Sequence, residues 1–422
     1  MKRNSPLWPK LLSGIAAFAA VILMVVVGLV PVTGASPSSA SSSRASHKAR
    51  SHVNLKAVEK RVKAAAAVPL FTKYAHLYGT KLKDPSALKG KKVMIIPGDS
   101  EIGACAEQAQ AASDLARAAG MSPSIFSTTG LPSNLVSGVN AAISEKDAAI
   151  LFECDFTPTT VAPSIAKAEA AGIVVGGYGG TKQEDVKTKL DWETATQWGP
   201  DASLGVDQAI AQHGGKPFQA LALTANTIGT TPIFTKTLRS EMSKLCPKCT
   251  VTYVNINVPT WATKITSTVE SVLSAHPKIT VVFVYFGSMT SFALTGIEGV
   301  HRTSTVKTYL SFGGDTTVGK LQVSGPGHTV IQGGISTYAT WTGYLDVLQM
   351  ARVLEHEKPI PFAKAYGPSR IVTPQNAANL LKTGGFGTSF VNGFRKLLGV
   401  KPLSGAALTN AATITGKMTA KG

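Results

Sequence analysis

Short, continuous apolar runs alternate with helix-like stretches from about residue 92 onward. Val93–Ile96, Ala149–Phe152 and Ile173–Val175 are runs of this kind, typical of strands buried on both faces of a sheet. Ala104–Ala119, between the first two runs, is an Ala-rich helical stretch that ends at Gly120. This alternation predicts a parallel α/β sheet with right-handed crossovers and helices on both faces.

The same pattern begins again after a break near Leu190–Trp192. Strands are predicted at Ala220–Leu223 and Ile279–Tyr285, and helices at Thr231–Leu245 and Trp261–Ala275. The chain is therefore predicted to form two similar, Rossmann-like α/β lobes in series. The apolar runs of these lobes are too short to be transmembrane segments.

The first 88 residues have a different character. Basic residues within the first ten precede the uncharged apolar run Leu11–Val30, and small residues follow it. Residues 1–35 are therefore predicted to be a signal peptide or a signal anchor, and the rest of the chain to be exported. The run approaches the roughly 20 residues that span a bilayer, so the protein is either secreted or held in the cytoplasmic membrane by Leu11–Val30. Residues 36–88, dominated at first by Ser, Ala and Lys, are predicted to be a tether.

Composition narrows the functional classes. The 42 Lys and Arg residues exceed the 24 Asp and Glu residues, giving a net charge of +18. These charges are scattered through the globular part, which favours a solvated surface over nucleic-acid binding. The eight histidines show no metal-ligand spacing, and no nucleophile and base stand at a recognisable spacing. We therefore predict no enzyme activity, no metal and no cofactor.

Four cysteines in an exported chain favour two disulfides. Cys246 and Cys249 have the spacing of a redox motif, and a zinc site is a further alternative. However, they follow a helical stretch instead of beginning one, and no nearby His or Cys pair completes a zinc site. A local structural disulfide is the favoured interpretation.

The loops that follow the predicted strands are the candidate binding positions, because ligands of open α/β sheets bind at the carboxyl ends of the strands. These loops combine aromatic rings, hydroxyls, amides and a few carboxylates. Such a set suits a neutral, polyhydroxylated small molecule, whose apolar faces stack on rings.

Several segments carry a family resemblance: "LKGKKVMII" (Leu88–Ile96), "DAAILFECDFTPTTVAPSIAKAEAAGIVV" (Asp147–Val175), "YLSFGGDTT" (Tyr309–Thr317) and "IVTPQNAANL" (Ile371–Leu380). With their order and repeated βα units, they resemble the type I periplasmic solute-binding proteins of ABC transporters, in the ribose-binding-like, sugar-binding branch, over residues 89–400. The resemblance implies a monomeric Venus flytrap that closes on a carbohydrate-like solute and delivers it to an ABC permease. A membrane-tethered sensory module of the same fold is the alternative.

The resemblance also implies a domain organisation. The N-terminal lobe would comprise residues 89–192 and 339–370, and the C-terminal lobe and tail residues 193–338 and 371–422. Three hinge crossings are expected, near Leu190–Thr194, Ile335–Tyr338 and Arg370–Pro374. In the implied sheet order the strand Val93–Ile96 neighbours the strand that ends before Cys154, so a Cys105–Cys154 disulfide is predicted on the cleft rim.

The expected ligand-binding residues follow from the strand-end loops and the hinges: Ser100, Glu101, Asp155, Phe156, Tyr178, Asn226, Thr227, Phe286, Ser288, Asp315, Tyr338 and Trp341. Asp315 matches an aspartate of the family. Phe286–Ser288 stands where sugar-binding relatives carry an Asn-Asp pair, and Ile233–Thr235 where they carry an arginine. These departures favour a larger or less polar solute, or a drifted site. Alternatively, Asp155 and Asp315 are helix caps and the aromatic residues belong to the core.

Overall fold

The computed structural model of the chain describes residues 54–156, 158–179, 190–314, 316–383 and 385–413. The strands are β1 (Lys92–Pro97), β2 (Ser122–Ile125), β3 (Ala149–Phe156), β4 (Val174–Gly179), β5 (Trp192–Thr194), β6 (Gln219–Thr224), β7 (Thr250–Asn255), β8 (Ile279–Val284), β9 (Lys307–Leu310), β10 (Ile331–Thr337) and β11 (Ser369–Val372). The α-helices are α1 (Leu55–Ala66), α2 (Gly103–Ala118), α3 (Pro132–Glu145), α4 (Pro158–Ala170), α5 (Trp198–Gln212), α6 (Thr231–Leu245), α7 (Trp261–Ala275), α8 (Thr290–Gly299), α9 (Thr316–Val323), α10 (Gly325–Val330), α11 (Ala339–Leu354), α12 (Ala377–Thr383), α13 (Ser389–Leu397) and α14 (Gly405–Ala412).

Within these described ranges, no helix has both the length and the apolar character that crossing a bilayer requires. The predicted signal segment 1–35, including Leu11–Val30, lies outside the described residues, as does the first part of the predicted tether.

The first lobe is built on a parallel sheet in the order β2-β1-β3-β4-β5. Alternate residues of β1 enter two different cores. Val93 and Ile95 pack toward α2 and α11, whereas Met94 and Ile96 pack toward α3 and α4. Because side chains alternate across a strand, helices on both faces require an unbroken apolar run, as the sequence has here.

The second lobe repeats this arrangement in the sheet order β11-β10-β9-β8-β6-β7. All its strand pairs are parallel except β10 and β11, which are antiparallel. In each lobe the first strand lies between the second and the third, which is the doubly wound 2-1-3-4-5 order. The strand order therefore reverses between β1 and β3 in the first lobe and between β6 and β8 in the second.

Three of the connections between the lobes are the hinge crossings that the predicted fold class requires. The first follows Thr194, which still pairs within the first sheet, and the second passes through Tyr338 between β10 and α11. The third precedes Ser369, close to the bridge between Ala195 and Tyr366. α11 packs on α2, which places it in the first lobe.

The described part of the predicted tether, residues 54–88, is folded, so the tether prediction is wrong there. α1 packs along α5 of the second lobe with Val58 buried, and Arg61 pairs with the buried Asp207 at 2.7 Å. Phe71 and Tyr78 then enter the core of the first lobe. The buried side chains of this segment, among them Val58, Phe71 and Tyr78, pack against helices distant in sequence.

The chain after residue 385 also departs from the expected domain boundaries. α12 packs on α9 in the second lobe, but α13 returns to the first lobe, where Phe390 and Phe394 join the core around α11. Residues 385–413 were expected in the C-terminal lobe, and this part of the boundary is wrong. Among the described residues, the segments near 67–70 and 385–388 thus form two additional connections between the lobes.

Candidate functional site

A cavity of about 390 Å³ lies between the two lobes, where the strand order of both sheets reverses. Its walls come from the segments after β1, β2 and β3 on one side and after β6, β7, β8 and β9 on the other. A volume of this size is within the range of small-molecule sites. The crevice at the carboxyl ends of the strands is therefore the candidate ligand-binding site, at the position that the sequence predicts.

The wall of the first lobe is shaped by a disulfide. Cys105, near the start of α2, is bonded to Cys154 at the end of β3, with Cα atoms 5.1 Å apart. This confirms the predicted Cys105–Cys154 bridge, and both cysteines border the cavity. Gly98 passes so close behind that a Cβ atom there would lie 2.3 Å from the carbonyl oxygen of Cys154. Glycine at this position lets the two strand ends approach.

Asp99 is the charged side chain of this wall among the described residues. Its Oδ1 accepts a hydrogen bond from the backbone N–H of Glu101 at 2.9 Å. Partial burial raises the pKa of Asp99; the hydrogen bond from the backbone of Glu101 offsets part of this rise, and the negative charge of Glu101 adds to it. Asp99 therefore offers a carboxyl group at the cavity edge that is held by its own loop.

The wall of the second lobe is mainly aromatic and aliphatic. Trp261 at the start of α7 stacks on Phe286, with ring centroids 6.2 Å apart and an interplanar angle of 26°. Phe312, after β9, meets the ring of Trp198 edge-on at 4.6 Å. The hydroxyls of Thr227 and Ser288 are the polar side chains on this side within the described residues.

The sequence-predicted residues divide into those that reach the cavity and those that do not. Thr227, Phe286 and Ser288 line it, and Glu101 borders an adjoining pocket that shares Asp99 and Trp261. The side chains of Asp155, Phe156 and Asp315 fall outside the described part of the chain, so these three remain predictions.

Ser100 and Asn226 lie in the expected loops but do not line the cavity. Ser100 Oγ accepts a hydrogen bond from the backbone N–H of Thr128 at 2.9 Å, which closes its own loop. Asn226 is exposed, and its backbone N–H donates to Asn255 Oδ1 at 2.7 Å. Tyr178 is buried behind the cavity, and its hydroxyl is hydrogen-bonded to Thr196 Oγ1.

Tyr338 and Trp341 are not at the site, and their prediction as stacking rings is wrong. Trp341 is 0% exposed, stacks on Phe390 at 5.0 Å and donates its indole N–H to Tyr78 Oη at 2.9 Å. Tyr338 stacks on Phe386 and donates its hydroxyl to the carbonyl of Ala412. Both rings are covered by chain segments that were expected elsewhere.

Trp261 and Phe312, conversely, line the cavity and were not among the predicted site residues. Phe312 directly follows a predicted strand, so the strand-end rule could have identified it. Trp261 stands several residues beyond β7, at the start of a helix, where the same rule gives only a weak signal.

The lobes also touch directly beside the cavity. Thr316 Oγ1, at the start of α9, donates a hydrogen bond to Glu107 Oε1 of α2 at 2.6 Å. Glu107 is only 3% exposed. This contact bridges the two lobes away from the hinge, so it contributes only when the lobes are close together.

A buried pair of carboxyl groups lies behind the first wall. Glu153 precedes Cys154 on β3, and its neighbour Asp346 is on α11; both are 0% exposed. Burial, then the nearby Asp346, raises the pKa of Glu153 well above its usual range. Burial raises the pKa of Asp346 to about 7. Gln108 Nε2 donates to Glu153 Oε2, whereas Glu153 Oε1 and both carboxyl oxygens of Asp346 are buried without a hydrogen-bond partner among the described residues. The pair therefore favours a retained proton over two buried negative charges.

The second disulfide lies away from the cavity. Cys246 and Cys249 are bonded, with Cα atoms 5.3 Å apart, which confirms the predicted local bridge. It joins the end of α6 to β7, and Phe218 donates its backbone N–H to Cys249 Sγ at 3.2 Å. Among the described residues, no group of three or more His, Cys, Asp or Glu is placed to hold a metal ion.

Solved structures of ABC-transporter solute-binding proteins have a similar fold. One from Agrobacterium vitis with bound allitol aligns with a TM-score of 0.59 at 18% identity, covering 69% of this chain and 98% of that one. The protein has the fold of a type I solute-binding protein. This confirms the two-lobed α/β fold class predicted from the sequence.

Two further solute-binding proteins show the same likeness. The 5-methylthioribose protein of Thermotoga lettingae aligns with a TM-score of 0.57 at 15% identity, covering 76% of this chain and 98% of that one. A Mycobacterium smegmatis protein with bound glycerol aligns with a TM-score of 0.58 at 19% identity, covering 69% and 96%. At these identities the likeness concerns the fold. No protein-family model matches the chain, and no curated protein matches it.

Proposed function

We propose that the protein is an extracytoplasmic solute-binding protein, which captures a small, carbohydrate-like molecule between its lobes and delivers it to an ABC permease. The observation that carries this proposal is the cavity at the strand-order reversals of both sheets, with walls from both lobes. The three structural neighbours described above support a carbohydrate-like solute, since they were solved with allitol, 5-methylthioribose and glycerol.

Binding would proceed by a population shift between open and closed arrangements of the lobes. A solute that touches Asp99 of the first lobe and Phe286 of the second gains both contacts only when the lobes are closed. The Thr316–Glu107 hydrogen bond adds to the same closed arrangement. A permease that recognises both lobes together would then distinguish loaded from empty protein.

The chemistry of the wall favours binding over catalysis. In the described lining, Asp99 is the titratable side chain, and Cys105 and Cys154 are tied up in their disulfide. A hydrolase of the usual acid–base kind needs two cooperating groups on either side of the scissile bond. The structural neighbours are likewise solute-binding proteins.

Export is supported by the two disulfides, since such bridges persist in oxidising compartments. The protein would act as a monomer outside the cytoplasm, secreted or anchored. N-terminal sequencing of the exported protein tests this. A start after residue 35 means cleavage and secretion, and an intact Leu11–Val30 segment means a permanent membrane anchor. Retention in the cytoplasm would contradict the proposal.

A thermal-shift panel of polyols, sugars, glycosides and nucleosides tests solute binding. A ligand at 100 times its Kd stabilises the folded protein by about 2.7 kcal/mol, which is a readily measured rise in Tm. Thr227→Trp, which places a large ring at the exposed cavity wall, should abolish the rise. Thr263→Trp, at an exposed position of α7 outside the lining, is the matched control. A panel without any shift would remove the support for this function.

A further inference from the structure

The two walls of the cavity differ in chemistry. The second lobe presents the rings of Trp261, Phe286 and Phe312 together with the aliphatic side chains of Ile228 and Val258. The first lobe carries the carboxyl group of Asp99. A solute bound between them therefore meets an apolar surface on one side and a hydrogen-bond acceptor on the other.

The rings of the second wall offer no polar atom to a solute, and the polar side chains beside them are the hydroxyls of Thr227 and Ser288. The indole N–H of Trp261 donates to the carbonyl oxygen of Ile256 at 2.9 Å, so only the apolar ring surface is left for the cavity. Phe286 also contacts the ring of Phe234, with centroids 5.6 Å apart. These packed rings are held in place before any solute arrives, which lowers the entropy cost of stacking on them.

The charge of the lining limits the solute further. The described lining residues include no Lys, Arg or His, and Asp99 is their one charged side chain. Among these described residues an anionic solute would meet a carboxyl group and no counter-charge. A hydroxylated, neutral solute would instead donate a hydrogen bond to Asp99, as sugar hydroxyls can.

We infer that the cavity selects a neutral sugar derivative that carries an apolar group of about ring size, such as an alkyl or aryl glycoside, over the free sugar or polyol. The sugar hydroxyls face Asp99, and the apolar group stacks on Phe312 and the Trp261–Phe286 pair. This inference rests on the proposed function of the same cavity and specifies its solute class.

Calorimetric titration of matched sets tests the inference. Each set contains the free sugar, its methyl glycoside and its phenyl glycoside, built on glucose, galactose or ribose. Stacking a ring in place of a hydroxyl removes on the order of 100 Å² of apolar surface from water, so we expect roughly 10- to 100-fold tighter binding of the phenyl glycoside in the best-binding set. A free sugar that binds as tightly as its phenyl glycoside overturns the inference and leaves the proposed function standing. Absence of binding across all sets and across the thermal-shift panel overturns both.

Variants of the aromatic wall give a second readout. Phe312→Leu keeps an apolar side chain but removes the ring, so the ratio of phenyl-glycoside to free-sugar affinity should fall about 5-fold or more. Val258→Thr, at a partly exposed position, should lower the same ratio without removing a core side chain. Phe218→Leu, a buried phenylalanine beside Cys249 and outside the cavity, should leave the ratio unchanged. Equal losses of affinity for the phenyl glycoside and the free sugar in the two wall variants would show that the apolar wall does not select the solute.

Discussion

Arg370 ties together the chain segments that pass between the lobes. It lies on β11, is only 4% exposed, and directly follows the third connection. Its Nε donates to the carbonyl oxygen of Ala66 at 2.9 Å, and its Nη1 donates to that of Gly385. These carbonyls stand at the starts of the two additional connections. One guanidinium group therefore links three segments that are distant in sequence.

Arg370→Met would remove both hydrogen bonds while keeping most of the side-chain volume. A hydrogen bond to a charged group contributes about 1.5–3 kcal/mol, so the two together set an upper range of about 3–6 kcal/mol. Two effects offset part of this loss. Burial lowers the pKa of Arg370, which reflects the free-energy cost of removing its charge from water. In addition, the carbonyl of the half-buried Ala66 can accept a hydrogen bond from water in the variant. We expect the free energy of unfolding to fall by about 3 kcal/mol.

Urea unfolding and limited chymotrypsin cleavage would measure the effect. Leu70, 51% exposed in the first additional connection, should be cut faster once Ala66 is released. Arg302→Met is the matched control, because Arg302 also donates to backbone carbonyls, including that of Pro277 at 2.9 Å, but entirely within the second lobe. The control should lose stability without faster cleavage after Leu70. A loss below about 1 kcal/mol for Arg370→Met, or unchanged cleavage, would refute the reasoning.

Three other predictions concern the first lobe and the cleft. Asp346 keeps its proton to about pH 7 when folded but loses it near 3.8 when unfolded, so its stabilising contribution is complete below about pH 4 and is lost as the pH rises to 7. Between pH 5 and pH 8 this decline amounts to roughly 2.5 kcal/mol, and Asp346→Asn should remove it in urea unfolding at these two pH values. An unchanged decline contradicts the assignment. Replacing Cys105 and Cys154 by alanines should lower the free energy of unfolding by roughly 4 kcal/mol, because the bridge closes a long loop. This loss is more than twice that expected for the Cys246–Cys249 bridge; equal losses would contradict the loop-entropy account. Thr316→Val should weaken solute binding severalfold in calorimetry by removing the bond to the opposite lobe, whereas Thr295→Val, whose hydroxyl bonds within its own helix, should not; equal affinities would show that the contact does not stabilise closure.

Local pattern predicted most of the two sheets. The apolar run Val93–Ile96 is unbroken because residues on both of its faces enter a core, and such runs mark buried parallel strands without any alignment. The strand-end loops then located Thr227, Phe286 and Ser288 at the cavity. The pairing of Cys105 with Cys154 was predicted from the sheet order that the family resemblance implies, and the structure has this bridge.

Long-range packing decided what the pattern could not. Trp341 carries the same side chain as Trp261, yet one is enclosed by α13 and the other faces the cavity. An aromatic residue after a hinge has no local property that distinguishes these outcomes. Whether it is a stacking ring or core depends on which distant segment covers it.

The sequence by itself determined the repeated α/β lobes and the sheet edge proposed to bind a ligand. Buried strands are predicted from their local hydrophobic pattern, and the loops that follow them are then located directly. Tertiary structure alone decided that α1 and α13 bind opposite lobes and that Arg370 joins the segments between them. The amphipathic character of such helices shows only that one face is buried, and many surfaces satisfy that condition. The choice among those surfaces is made by shape and hydrogen bonding between residues some 300 positions apart, as in the bond from Arg370 to Ala66.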